Sequence, residues 1–120
     1  MIKSKHFKEE EFGRCNPRCS LQDMNQSFIN KLDTLRDVAG IPLVLNCAYR
    51  PVAWEKSKGR SGQGDHPQGR GADIRCNNSA TRFKILTAAR EVGFRRIGVA
   101  ASFIHVGDGD NLPQDVVWLY

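Results

Sequence analysis

The sequence has no apolar run approaching the roughly 20 residues needed to span a bilayer. Its opening, Met1-Ile2-Lys3-Ser4-Lys5-His6, carries no apolar stretch behind its lysines, so neither a membrane anchor nor a signal peptide is expected. Pro/Ser/Gly tracts and internal repeats are also missing, which argues against a disordered or repetitive chain. Lys and Arg outnumber Asp and Glu by 18 to 13 but are spread from Lys3 to Arg96. With no clustered basic stripe and no aromatic platform, a nucleic-acid partner is not expected. Cysteine is sparse: four residues, at 15, 19, 47 and 76, with no second close pair beside Cys15-x-x-x-Cys19 to complete a four-thiolate zinc site. Buried free thiols are the expectation, and a Cys15/Cys19 or Cys47/Cys76 disulfide is the alternative in an oxidising compartment.

What is present is enough for one core. A chain of 120 residues with 40% hydrophobic and 26% charged residues fits one domain over residues 1–120, expected to be a monomer. Phe7 and Phe12 frame an acidic turn and read as an irregular arm pinned by two aromatics. Phe28, Leu32, Leu35 and Ala39 then recur at helical spacing, with Asn25 or Asp23 to cap the start and Gly40 then Pro42 to end it. Leu43 to Ala48 reads as a short buried strand that delivers Tyr49-Arg50-Pro51 at its end. From Lys56 to Gly71 the chain reads as a long loop, and Ala72-Asp73-Ile74-Arg75 as a strand with Asp73 on the face away from Ala72 and Ile74. Ser79 can cap a second helix with Phe83, Leu86, Ala89 and Val92 on one face and Gly93 at its end. Ile97–Val99, Phe103–Val106 and Val116–Leu119 supply the last strands. This order predicts an α+β fold, a small antiparallel or mixed sheet with helices packed on one face.

Three residues invite a metal argument: His66 at the end of the loop, Asp73 seven residues on, and His105 in a later strand. Two imidazoles and a carboxylate form a tripod that leaves a fourth tetrahedral position open, which distinguishes a catalytic zinc site from a closed structural one. Gly69 and Gly71 let the chain turn sharply after His66 and return as a strand, bringing His66 and Asp73 toward one point.

The stretch His66-Pro-Gln-Gly69-Arg-Gly71-Ala72-Asp73 resembles the His-x-x-Gly-x-x-x-Asp zinc motif of the D-Ala-D-Ala carboxypeptidase family, whose fold is shared with the Hedgehog signalling domain. Phe103-Ile104-His105-Val106 is similar to that family's late strand, which carries the third ligand, and Ala48-Tyr49-Arg50-Pro51 to its upstream Arg motif. The Phe7 to Phe12 arm, the first helix and the ending Val116 to Tyr120 resemble small phage and bacterial members. The resemblance implies a Zn2+ site at His66, Asp73 and His105 and hydrolysis of peptide bonds in peptidoglycan stem peptides or cross-links. It also implies that Arg50, a planar fork of donors, grips a substrate carboxylate or carbonyl from across the cleft. The net charge of +5 suits an anionic cell-wall polymer. Where such a protein acts, in the periplasm, outside the cell or after phage lysis, is left open by the sequence.

The pattern departs from the family at three positions. Gly64 stands where many members have Ser, Ser102 where they have an acidic residue three before the last His, and Gly107 where many small relatives carry Asp. Asp108 is therefore the first candidate for the general base and Asp110 the second, with Asp65 as a further carboxylate beside the first ligand. The alternative function is a zinc-containing module that grips wall peptide without cutting it.

Overall fold

Asn25 opens the first long helix, its side-chain oxygen accepting from the Phe28 amide, and Gly40 at a φ of 68° closes it. The computed structural model describes residues 1–120. In chain order its elements are α1 (Glu9–Gly13), α2 (Gln26–Ala39), β1 (Leu45–Cys47), α3 (Val52–Ser57), β2 (Gly71–Arg75), α4 (Ser79–Val92), β3 (Arg96–Val99), β4 (Phe103–Gly107) and β5 (Val116–Leu119). The five strands form one mixed sheet in the order β1-β2-β4-β3-β5. All neighbours are antiparallel except β3 and β5, which run parallel. The architecture is the expected α+β fold.

One cluster makes the core. Phe28, Leu32 and Leu35 of α2 and Ile85, Ala88 and Ala89 of α4 meet Ile74, Ile97, Ile104 and Val106 from the sheet. Alternation along each strand sends these apolar residues to the helix side, leaving Asp73 and His105 on the opposite face. No helix is long and apolar enough to cross a membrane.

Four local expectations differ from what the structure shows. Phe83 is 71% exposed, because α4 buries Ile85, Ala88 and Ala89, one step around the helix from the stripe read in the sequence. Asn78 caps α4 instead of Ser79, since its side chain accepts from the Thr81 amide. The Phe7 to Phe12 arm contains a helical turn, α1, with Phe12 fully buried beneath it. A short helix, α3, also precedes the long loop and overlaps its predicted start at Lys56 and Ser57. All four cysteines are free thiols, three buried and Cys19 partly so.

Candidate metal centre

The register of the sheet builds the centre. Asp73 on β2 lies directly opposite His105 on β4, and opposed residues in an antiparallel pair share a face. The same transverse row continues on both sides: Cys47 on β1 pairs with Asp73, Gly98 on β3 pairs with His105, and Trp118 on β5 pairs with Gly98. Five strands thus contribute Cys47, Asp73, His105, Gly98 and Trp118 to a single line across the face away from the helices. Gly98 has a steric role in it. A Cβ at that position would lie 2.6 Å from the Trp118 indole nitrogen, so its absence lets the indole lean beside His105 with ring centroids 5.3 Å apart.

His66 comes to this row from the loop. A single 3-10 turn over His66–Gln68 ends at Gly69 with φ 67°, and the Gly69 carbonyl accepts from the Asn25 amide at 3.0 Å, which ties the loop to the start of α2. The imidazole then sits at 4.9 Å, edge to face, from that of His105. His66 Nε2 lies 3.2 Å and His105 Nδ1 2.9 Å from the same oxygen, Oδ1 of Asp73. All three residues are buried, at 6, 3 and 5% exposure for His66, His105 and Asp73. His66 and His105 are thus brought to one oxygen of Asp73.

The outward nitrogens are occupied as a metal site requires. His66 Nδ1 faces the Ala48 carbonyl, which can only accept, so that nitrogen carries a proton and Nε2 is the one turned to Asp73. His105 Nε2 faces a carboxylate oxygen of Asp65 at 2.8 Å, leaving Nδ1 turned inward. A backbone carbonyl behind one ligand and a carboxylate behind the other is the usual outer support of metal-bound imidazoles. Two imidazole nitrogens and a carboxylate oxygen, held this way, fit zinc in their chemistry.

Electrostatics follow from the same contacts. Burial opposes ionisation of Asp73, but hydrogen bonds from His105 and His66 outweigh it and hold the carboxyl well below its ordinary range. Burial likewise opposes the charge on Asp65, yet His105 and Arg96 bring it down to about 2. Burial disfavours the charged form of both histidines, while their carboxylate partners, Asp73 for His66 and Asp65 with Asp73 for His105, more than compensate and raise them. Every fully buried side-chain nitrogen and oxygen has a hydrogen-bond partner.

Arg50 lies against the cluster and is not free. Its Nη2 donates to Asp73 Oδ2 at 3.1 Å, its Nη1 to Glu55 at 3.2 Å and its Nε to the Cys47 sulfur at 2.9 Å. Expected across the cleft from the metal, Arg50 instead lies beside Asp73, because two buried carboxylates, Asp73 and Glu55, need its charge. Asp108 follows the alternation of β4 in the other direction. Its carboxylate meets Arg70 at 3.2 Å and Lys31 of α2 at 3.9 Å, on the helix side of the sheet. Asp110 is exposed and its closest cation is Arg70, at 4.0 Å.

Two further residues join the site: Cys47, which the sequence pattern did not place there, and Asp65, which it marked only as a candidate base. Cys47 has its sulfur 3.9 Å from His66 Nδ1, and Cys47, His66 and Asp73 also form a compact trio of donors. The donor atoms of Cys47, His66 and Asp73 all lie within 4.8 Å of one another, and His105 joins them through Asp73 Oδ1. Asp65 contacts His105, Arg96 and the Gly109 amide. The glycines at 71, 107 and 109 were the available signal, since all three border its side chain. None of the surface cavities is lined by His66, Asp73 or His105; the largest, about 580 Å³, borders Glu11, Arg14, Asn46 and Arg75.

Among known proteins, the family model described as Peptidase M15 matches residues 5–107. No curated protein matches the chain.

Proposed function

The chain belongs to the peptidase M15 family, and from that premise we propose that it is a zinc metallopeptidase that hydrolyses peptide bonds in peptidoglycan stem peptides or cross-links. One observation carries the metal half of this reading. His66 Nε2 and His105 Nδ1 aim at one oxygen of Asp73, and each imidazole has its other nitrogen taken by an acceptor behind it. Zinc bound there would supply Lewis acidity, polarising a scissile carbonyl and acidifying water for attack.

The residues of the chain would do the rest. Asp73 holds the two imidazoles to one point, and Arg50 fixes the second Asp73 oxygen so that Oδ1 stays turned to them. Arg50 also provides the planar donor pair that a substrate carboxylate or carbonyl would accept from, on exchanging its Glu55 or Asp73 contact for the substrate. Trp118 screens His105 on the β5 side and restricts water there. The peptidoglycan substrate is supported by the family resemblance and by the net charge of +5.

The test is hydrolysis of purified peptidoglycan by the zinc-loaded protein, with and without chelator, and mass spectrometry of the released fragments. Chelator-sensitive peptide fragments are expected, and their masses identify the bond cut. A zinc-loaded protein that releases nothing would leave the second reading, a zinc-containing module that binds wall peptide without cutting it. That reading is favoured by Ser102, which has no acidic group to offer, and by the turn of Asp108 toward Arg70 and Lys31. Binding of peptidoglycan without turnover would establish it, and absence of bound zinc would end both.

A further inference from the structure

We propose that Asp65 is a positioning residue for the metal centre: its carboxylate fixes His105 with Nδ1 inward, from a cradle that three glycines keep open and that a side chain at position 107 would otherwise fill. The inference rests on the zinc reading above.

The chain folds so that one dipeptide serves both imidazoles. Asp65 has helical backbone angles, φ −65° and ψ −43°, at the start of the turn that carries His66. His66 is sent toward Asp73 while Asp65 reaches 40 residues along the chain to His105 Nε2 at 2.8 Å. The Asp65 carboxylate is 2% exposed and fully engaged. Arg96 Nε donates to both its oxygens, at 3.0 and 3.2 Å, and the Gly109 amide donates to Oδ1 at 2.9 Å. Arg96 is itself anchored, donating to the Pro113 carbonyl at 2.7 Å and lying over the Trp118 ring.

Shape makes the assignment specific. A Cβ at Gly71 would come within 2.8 Å of the Asp65 Cβ, and one at Gly109 within 2.6 Å of Oδ1. A Cβ at Gly107 would fall on the carboxylate itself, 2.8 Å from Oδ1 and closer still to Cγ and Oδ2. Residue 107 lies two along β4 from His105 and so projects to the same face. An acidic side chain grown from 107 would therefore enter the space that the Asp65 carboxylate now fills. With Gly107, the chain supplies the same charge to the same space from a different strand connection. Because Nε2 is claimed by Asp65, His105 can offer only Nδ1 to a metal, and the ring cannot flip without abandoning a buried carboxylate.

The experiment is zinc affinity by competition with a chromophoric chelator, measured for the full chain, for Asp65→Asn, and for the exchange pair Asp65→Gly with Gly107→Asp. Circular dichroism of each metal-free protein checks that it is folded. Loss of this outer support is expected to weaken zinc binding by about 10- to 100-fold in Asp65→Asn. The exchange pair should recover most of that loss, which a residue needed only for folding would not show. The visible spectrum of the cobalt(II)-loaded protein should change in Asp65→Asn and return in the exchange pair, because it reports the ligand geometry. Equal zinc affinity in Asp65→Asn and the unsubstituted chain would overturn the inference while leaving the peptidase reading standing. An exchange pair that folds yet binds no better than Asp65→Asn would overturn the equivalence with position 107. If the unsubstituted chain takes up no zinc, the peptidase reading fails and this inference with it.

Discussion

Replacing Gly107 with Ala adds a single methyl group at the most crowded point of the centre. That carbon would sit 2.8 Å from Asp65 Oδ1 and nearer to Cγ and Oδ2, whereas unstrained contact needs about 3.5 Å, so the carboxylate must retreat by about 1 Å. Its retreat is restrained by Arg96, by His105 and by the Gly109 amide, at 3.0, 2.8 and 2.9 Å. A shift of about 1 Å takes at least one of these beyond hydrogen-bonding range. Losing a charged hydrogen bond costs about 1.5 to 3 kcal/mol, and overpacking a tight site about 1 to 3 kcal/mol. Asp65 is almost wholly buried, so solvent does not soften the loss. The sum is about 2.5 to 6 kcal/mol, and with an unfolding entropy of about 0.25 kcal/mol/K for a chain of this length, Tm should fall by about 10 to 24 °C. Thermal and urea unfolding of the metal-free protein measure this directly. A shift below about 1 kcal/mol would show that Asp65 is not held as the structure has it, and the cradle argument would be refuted.

The remaining predictions concern protons and turnover. In the metal-free protein His66 and His105 are raised above their ordinary 6.5, so zinc must displace protons from them, and its affinity should fall as pH drops through the raised values; a pH-independent affinity would contradict this. The same shifts set stability without metal: the histidine contribution is full below 6.5 and lost as pH rises through the raised values, and the Asp65 contribution is full above 3.8 and lost as pH falls toward about 2. Urea midpoints of the metal-free protein should accordingly be highest between those limits, and a maximum in alkaline solution would count against the assignment. Arg50→Lys keeps charge near Asp73 and Glu55 but loses the planar fork, so turnover should drop at least about tenfold with zinc content unchanged; full activity would remove Arg50 from the mechanism. Asp108→Asn should change peptidoglycan cleavage by less than about threefold at fixed zinc occupancy, because Arg70 and Lys31 hold that carboxylate on the helix side. A large loss of turnover with metal retained would restore Asp108 as the general base.

Local chemistry in the sequence determined a good deal. The Asn25 cap and the Gly40 stop are properties of a few adjacent residues, and they fixed α2 to within a residue of its ends. The glycines between His66 and Asp73 let one short segment turn back on itself, so that pair was legible as well. His105 was recognisable from its strand and its family motif. What lay beyond reach depended on contacts between distant segments. The pairing of Asp73 with His105 is a matter of strand register, and so is the row that runs from Cys47 to Trp118. Asp65 meets its partners 31, 40 and 44 residues away, a distance at which no local pattern survives. Arg50 is legible from its motif as a substrate grip, but its pairing with Asp73 and Glu55 depends on their burial around it. Asp108, next to a glycine in sequence, was given its direction by the alternation of β4 and by Lys31 on a helix 77 residues earlier. Phe83 shows the same limit for the core: its helical spacing was sound, but only the packing of α4 against α2 and the sheet decided which face turned inward.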